Sequence, residues 1–329
     1  MEQSIKIFKT DEITPELWDR IILGFNEAFG TKKNVRQLVN FYKSNVFGYS
    51  FHAIKFSETG DIMGYNSFVP SLYEYNGKTL KVVNSGGSFV LKEFRKDIFI
   101  FKELFDALLA YCKEMGYDLE VGVPNKNSFR YAIKINKSIY VGDLAYYILP
   151  VNISKIINKS GLKAFDFISR MLCRFWAYFN CGISYIINFK ETLKPIRIKI
   201  DEPFLCSRFR DINKYNSKII RHGIFFYRIY DENGIKTAYV MDFRENGEKT
   251  SRSLSKCICN ILKYEQVDAI IFVGTLNLLQ SVMLKVPKRF VPQKLPLVFH
   301  LINPEQKELE LDAKELCNWD FSLINFDVR

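Results

Sequence analysis

The sequence predicts a mixed α/β protein made of two similar units, each an α+β arrangement around a mixed sheet. Three observations carry that prediction. Short apolar or alternating runs recur between amphipathic stretches from end to end. Asn76-Gly77 and Asp231-Glu232-Asn233-Gly234 each join two such runs as a hairpin. The order hairpin, helix, strand, helix, strand occurs twice, once before Pro150 and again after Arg197. With 329 residues the chain has room for two domains of ordinary size. The expected division is an N-terminal unit over 1–150, a hydrophobic helical connector over 151–190 and a C-terminal unit over 191–329.

The N-terminal elements follow in order. Ser4 to Phe8 alternates and reads as a strand. Thr14-Pro15 opens a helix, Thr as cap and Pro at the first position, with Trp18, Ile21, Ile22, Phe25 and Phe29 as its apolar face and Gly30 as its end. Asn34 to Tyr42 is a second short helix. Tyr49 to Phe56 and Ile62 to Val69 are strands around the Ser57 to Asp61 turn, and Asn76-Gly77 leads into the strand from Thr79.

From Thr79 to Lys134 the pattern becomes specific. A strand passes through Ser85-Gly86-Gly87-Ser88 into Phe89-Val90-Leu91, and a basic turn containing Arg95 and Lys96 opens a helix from Ile98 to Met115. A second strand, Tyr117 to Val123, ends at Pro124-Asn125 and opens another helix. A turn feeding a helix N-terminus presents unpaired N–H groups backed by the helix dipole, which suits phosphate. Two glycines in a strand allow a bulge. Ile98, Phe101, Leu104, Phe105 and Leu108 follow helical spacing, which predicts one buried face with Ile100 off it. Ser138 to Pro150 reads as a final strand.

On these residues the first 150 or so positions resemble the GNAT superfamily of coenzyme A-dependent N-acyltransferases. Arg95-Lys96-Asp97-Ile98-Phe99-Ile100 stands where that family has its R/Q-x-x-G-x-G/A pyrophosphate turn, though isoleucines replace both glycines. Asn125, Ser128 and Lys134 match the Asn, small residue and Lys after the family's next strand. The resemblance implies acyl transfer from acetyl-coenzyme A or another acyl-coenzyme A to an amine, without metal. It assigns the coenzyme to Phe89, Val90, Leu91, Arg95, Lys96, Asp97, Ile98, Phe99, Ile100, Asn125 and Ser128. Backbone N–H groups of Phe89 to Leu91 would polarise the thioester. Where the family often has a tyrosine acid the chain has Ala132, with Tyr131 beside it. Glu120 and Tyr131 are the catalytic candidates. Glu120 on an apolar strand has either a raised pKa or an outward-facing position. Asn125 equally fits a helix cap.

Past Pro150 the chain changes character. Val151 to Phe189 mixes large apolar residues with Lys and Arg, and no charge falls between Phe175 and Phe189. That run is short of the ~20 residues that span a bilayer. It reads as a connecting helix pair packed between the two domains, with a membrane-surface helix over 163–189 as the alternative. Farther on, Phe204 to Tyr215, Ser251 to Tyr264 and Leu276 to Val286 read as helices, the last two flanking a buried strand at Val267 to Val273; Leu297 to Leu301 is the closing strand. This half reads as a degenerate second GNAT-like unit, because Glu245 to Thr250 lacks the phosphate pattern. Its tail, Asn318 to Leu323, resembles tandem-GNAT proteins of bacterial polysaccharide loci.

Composition narrows the partners. The net charge of +11 favours something acidic: coenzyme A, a sugar nucleotide, RNA or an anionic surface. Cys257-Ile258-Cys259 lacks a second pair, so it argues against zinc, and the seven cysteines read as reduced thiols. His52, His222 and His300 are isolated. Ser85 and Ser88 have no histidine nearby in sequence, which argues against a serine nucleophile. The N-terminus lacks the apolar core of a signal peptide, so the expected location is cytoplasmic. Three functions remain open: an acyl-coenzyme A-dependent transferase acting on a small amine or an amino sugar of surface-polysaccharide synthesis, a FemAB-like transferase using aminoacyl-tRNA, or a non-catalytic binding module.

Overall fold

The structure is a computed structural model, and it describes residues 4–157, 160–209, 216–220, 223–276 and 282–326. Strand β1 (Ser4–Lys9) precedes helices α1 (Pro15–Phe29) and α2 (Val35–Lys43). Then come β2 (Phe51–Phe56), β3 (Ile62–Tyr75), β4 (Lys78–Ser85), β5 (Phe89–Val90), α3 (Phe99–Glu114), β6 (Leu119–Gly122), α4 (Lys126–Lys134), β7 (Ile139–Asp143) and β8 (Ala145–Pro150). They are followed by α5 (Ile153–Ile157), α6 (Lys163–Ile186), β9 (Ile196–Ile198), α7 (Glu202–Arg208), β10 (Asn216–Ile220), β11 (Gly223–Glu232), β12 (Ile235–Asp242) and α8 (Ser251–Tyr264). The remainder is β13 (Ala269–Gly274), β14 (Leu284–Lys285), β15 (Pro296–Leu301), α9 (Lys307–Ala313) and β16 (Trp319–Asp320).

Local chemistry accounts for the clearest of these. Thr14 caps α1 by accepting the Leu17 N–H, and Pro15 supplies a fixed φ at the first position. At the β3–β4 hairpin, Asn76 and Gly77 have φ of 47° and 81°, the left-handed pair that matches strand twist.

The chain forms two compact units. The first comprises Met1–Asp143, Pro195–Arg210 and Leu295–Asn318. Its sheet runs β1-β2-β3-β4-β6-β15-β7, with β4 and β6 parallel. Helix α3 covers one face through Ile100, Leu104, Phe105 and Leu108 against Phe51, Met63, Phe68 and Val83. On the other face, α1 and α2 bury Trp18, Ile21, Phe25 and Tyr42 against Ile54, Tyr65 and Phe89. His52 lies in this second core, its Nδ1 2.7 Å from the Tyr65 hydroxyl and its Nε2 3.0 Å from Thr10 Oγ1.

The second unit comprises Leu144–Lys194, Asp211–Lys294 and Trp319–Arg329. Its sheet runs β10-β11-β12-β13-β8-β14, with β12 and β13 parallel. The core gathers Tyr147, Leu149, Tyr227, Val240, Leu254, Ile258, Ile270 and Phe272.

The units are not contiguous, which departs from the expected division at 150 and 190. Strand β8 pairs with β13 in the second unit, and β15 pairs with β6 and β7 in the first. The expected single strand from Ser138 to Pro150 is therefore two strands in different sheets, parted at Leu144. Both outcomes depend on pairing partners more than a hundred residues away, which local pattern does not encode.

Other expectations also change. The connector side chains expected to be buried are largely exposed, Phe175 to 67%. The reason is the stripe α6 buries against α8: Ser169, Cys173, Ala177 and Ser184 are small, so the large residues fall on the other side. On α3, Ile98 is 45% exposed while Ile100 is fully buried, the reverse of the expected faces. The helix expected over Leu276 to Val286 gives way to strand at Leu284–Lys285, and its middle, 277–281, lies outside the described residues. Of the helix expected over Phe204 to Tyr215, α7 accounts for the first turns; 210–215 lies outside the described residues, as does His222.

Candidate active site

The first unit's parallel strands pair at Val82–Leu119, Val83–Glu120 and Asn84–Val121. Beyond that point β4 turns toward β3. The Gly86 N–H donates to the Ser67 carbonyl at 2.8 Å. A Cβ on Gly86 would stand 2.4 Å from Ser67 Oγ, and one on Gly87 would stand 2.6 Å from the Phe25 ring, so only glycines allow this approach. Strand β5 then pairs with β3 at Tyr65–Phe89 and Gly64–Val90. The pairing of β4 with β6 thus ends at Asn84–Val121, while β4 and β5 continue alongside β3.

This pairing consumes N–H groups that the sequence offered to a thioester. The Leu91 N–H donates to the Met63 carbonyl at 3.0 Å. By antiparallel alternation the Phe89 N–H also turns toward β3, and Val90 turns its polar groups the other way. The Val90 carbonyl accepts from Arg95 Nε at 2.9 Å. Of the three candidates, Val90 keeps its N–H directed away from β3.

Glu120 faces inward, not outward. It is 1% exposed, and burial raises its carboxyl from the ordinary 4.5 to about 7, with the Ser85 hydroxyl opposing the shift. Ser85 Oγ donates to Glu120 Oε1, while Oε2 has no partner among the described residues. Ser85 itself is exposed, so the pair links a buried carboxylate to the protein surface. A Cβ on Gly122 would come within 3.3 Å of both Glu120 Oε1 and Ser85 Cβ, so glycine keeps room beside them. On β15, His300 stands opposite Glu120 in register, and burial lowers its pKa, favouring neutral imidazole.

The turn at the start of α3 is mixed. Arg95, Lys96 and Phe99 are exposed, and the first-turn N–H groups of Ile100 and Phe101 lack intrahelical acceptors. The Phe99 N–H, however, donates to Asp97 Oδ1 at 2.9 Å, placing a carboxylate where a phosphate would go. The exposed Arg95 and Lys96 side chains suit a pyrophosphate, with Asp97 opposing it. Asn125 caps α4, accepting the Asn127 and Ser128 N–H groups at 2.9 and 3.0 Å. Ser128 Oγ returns to Asn125 Oδ1 at 3.1 Å, so both are engaged in starting the helix. Tyr131 is partly exposed and packs edge-on against Phe101 of α3 at 6.0 Å, with Ala132 buried beside it.

No protein-family model and no curated protein matches the chain by sequence. Solved structures do match it. An Enterococcus faecalis protein described as a probable N-acyltransferase superposes with a TM-score of 0.59 at 11% identity, covering 91% of this chain and 73% of its own. A GCN5-related N-acetyltransferase from Anabaena variabilis gives 0.57 at 10% identity over 91% and 73%. The N-myristoyltransferase of Saccharomyces cerevisiae, solved with bound myristoyl-CoA, gives 0.52 at 10% identity over 90% and 82%. The chain has the GNAT acyltransferase fold.

Within that fold the second unit offers a contrast. Its parallel strands, β12 and β13, are joined through a turn at Glu245 to Thr250 and then α8. There Lys249 and Arg244 bind Asp320, Arg244 at 2.9 Å, and Lys249 is almost wholly buried. An internal carboxylate thus satisfies the cations at this turn. Among the described residues no cluster of His, Cys, Asp and Glu could hold a metal ion, and all seven cysteines are free.

Sequence reading missed the Ser85–Glu120 pair. No local motif marks it, because the residues are 35 positions apart. Aligning the runs 79–85 and 119–123 as parallel neighbours would have revealed it, since Val83 opposite Glu120 brings Ser85 to the same carboxylate.

Proposed function

We propose that the chain is an N-acyltransferase that moves an acyl group from acyl-coenzyme A to an amine, with the first unit carrying the chemistry. The observation that carries this reading is the buried Glu120 carboxyl, poised near neutrality and joined to exposed Ser85 where β4 and β6 part. A base with a pKa near the working pH is what deprotonation of an amine requires. Glu120 accepts the amine proton through the Ser85 hydroxyl, and the amine attacks the thioester carbon. The Val90 N–H faces the developing oxyanion. Arg95 and Lys96 hold the pyrophosphate, and Tyr131 is the thiolate's proton donor. An amino sugar is the proposed acceptor. The structural neighbours, two described as acyl- or acetyltransferases and one solved with myristoyl-CoA, support the donor class.

One observation favours a second reading. The Asp97 carboxylate at the Phe99 N–H opposes phosphate, as expected of a GNAT-fold module that binds something other than coenzyme A. The deciding experiment follows thiol release from acetyl-coenzyme A in the presence of a panel of amines that includes amino sugars. Turnover that falls by roughly 10²-fold or more in both Glu120→Gln and Ser85→Ala supports the transferase. Absence of coenzyme A binding by calorimetry, with no turnover on any amine, supports the module.

A further inference from the structure

Helix α6 presents an apolar face that its own unit leaves uncovered. Ile168, Met171, Leu172, Phe175, Phe179 and Ile186 are each about half exposed or more. Their spacing puts them opposite the small-residue stripe that packs on α8. From Phe167 to Lys190 the sequence contains no acid, while Arg170, Arg174 and Lys190 are present. Around the same helix, Arg252 lies over the Tyr185 ring at 4.9 Å, and Lys263 is exposed beside Tyr264 at the end of α8. Trp176 stands at the edge of the face, 46% exposed, with its indole N–H donated to the Val282 carbonyl at 2.9 Å.

We propose that this face of α6 docks on the surface of an anionic lipid bilayer, lying in the interface without crossing it. Three features select that occupant. No described helix is long and apolar enough to cross a membrane. Large apolar side chains flanked by cations, with Trp and Tyr at the margin, match the headgroup boundary of an anionic bilayer. The same charge pattern disfavours a second copy of the chain. A two-fold contact would bring Arg170 and Arg174 near their own counterparts, while Asp166, the acid of α6, is already engaged by Ser154 at the start of the helix. Cationic flanks draw the helix to the surface, and burial of the apolar face holds it there.

The test is flotation of the full chain with vesicles of phosphatidylcholine plus phosphatidylglycerol, against phosphatidylcholine alone. Trp176 emission is followed alongside, since the other tryptophans, Trp18 and Trp319, are buried. The expected result is flotation with anionic vesicles only, a blue shift of the emission, and weakening by salt. Met171→Glu/Phe175→Glu, checked for folding by circular dichroism, is expected to reduce the bound fraction by about tenfold or more. Failure of the wild-type chain to float at low salt overturns the proposal, as does equal binding to neutral vesicles. A dimer in light scattering that disappears in the double variant also overturns it and assigns the face to self-association. If the double variant does not fold, an unshifted Trp176 emission in the wild-type chain on anionic vesicles is by itself sufficient to reject it.

Discussion

Ile100 of α3 lies over Gly64 of β3, its Cγ2 2.8 Å from where a Cβ on that glycine would stand. The large residue at the start of the helix is thus matched by an absent side chain on the strand beneath it. The first turn of α3 can sit close to the sheet although both glycines of the resembled phosphate turn are replaced. Gly64→Ala is expected to destabilise the protein by ~1–3 kcal/mol through overpacking. Ile100→Val should recover part of that loss, and a double-mutant cycle from denaturant melts would measure the coupling. Additive effects would show that the two positions do not share the space.

Ile98 and Ile100 should respond in opposite ways. Ile98 is largely in solvent, so Ile98→Gly is expected to cost no more than about 1 kcal/mol. Ile100 is fully buried beside Leu104, and Ile100→Gly should cost ~3–5 kcal/mol through the cavity and the added chain freedom. Thermal melts of the two variants decide between these faces and the face expected from helical spacing.

That spacing shows where the sequence was legible. The helix itself was readable, because Leu104, Phe105 and Leu108 recur at helical intervals and Gly116 closes the run. Which isoleucine of the first turn is buried was not, because Ile100 fills the space over Gly64 on β3, a contact that no short window records. Hairpins were legible from Asn76-Gly77 and Asn233-Gly234, whose left-handed geometry few other pairs adopt. The exchange of β8 and β15 was hidden, since each strand looks alike whichever sheet receives it. Glu120 was legible as a candidate, but its burial and its tie to Ser85 come from parallel pairing that no short window records.

The turn before α3 makes a prediction about coenzyme A. Arg95→Ala should weaken its binding by ~1–3 kcal/mol in calorimetry if the guanidinium meets the pyrophosphate. Asp97→Asn should tighten it, because the like charge beside the Phe99 N–H is removed while a capping oxygen remains. Equal affinity in both variants would take the pyrophosphate away from this turn.

The second unit should depend on its internal ion cluster. Burial alone would raise the Asp320 carboxyl, but Lys249 and Arg244 more than reverse this and hold it well below the usual carboxylate range. A lowered carboxyl contributes stability that is present above its unfolded pKa and lost as pH falls through the folded one. Asp320→Asn leaves Lys249 buried with less compensation, and a loss of ~3–5 kcal/mol is expected. The variant should also show a flatter acid limb than the parent in unfolding followed between neutral and strongly acid pH.

Glu120 gives the most direct test of the account. Its carboxyl is raised, so it shifts stability in the opposite direction: the folded state holds a proton that the unfolded state has lost. Stability should therefore fall as pH rises from 4.5 to about 7, and Glu120→Gln should remove that decline. Catalysis needs the ionised form, so the rate should climb over the same range and level off above about 7. The measurement is the pH profile of kcat/KM for amine acylation by acetyl-coenzyme A in the wild-type chain and in Glu120→Gln. The account predicts a rise centred near neutrality in the first and a rate lower by roughly 10²-fold, without that rise, in the second. An unchanged rate and profile in Glu120→Gln would contradict it.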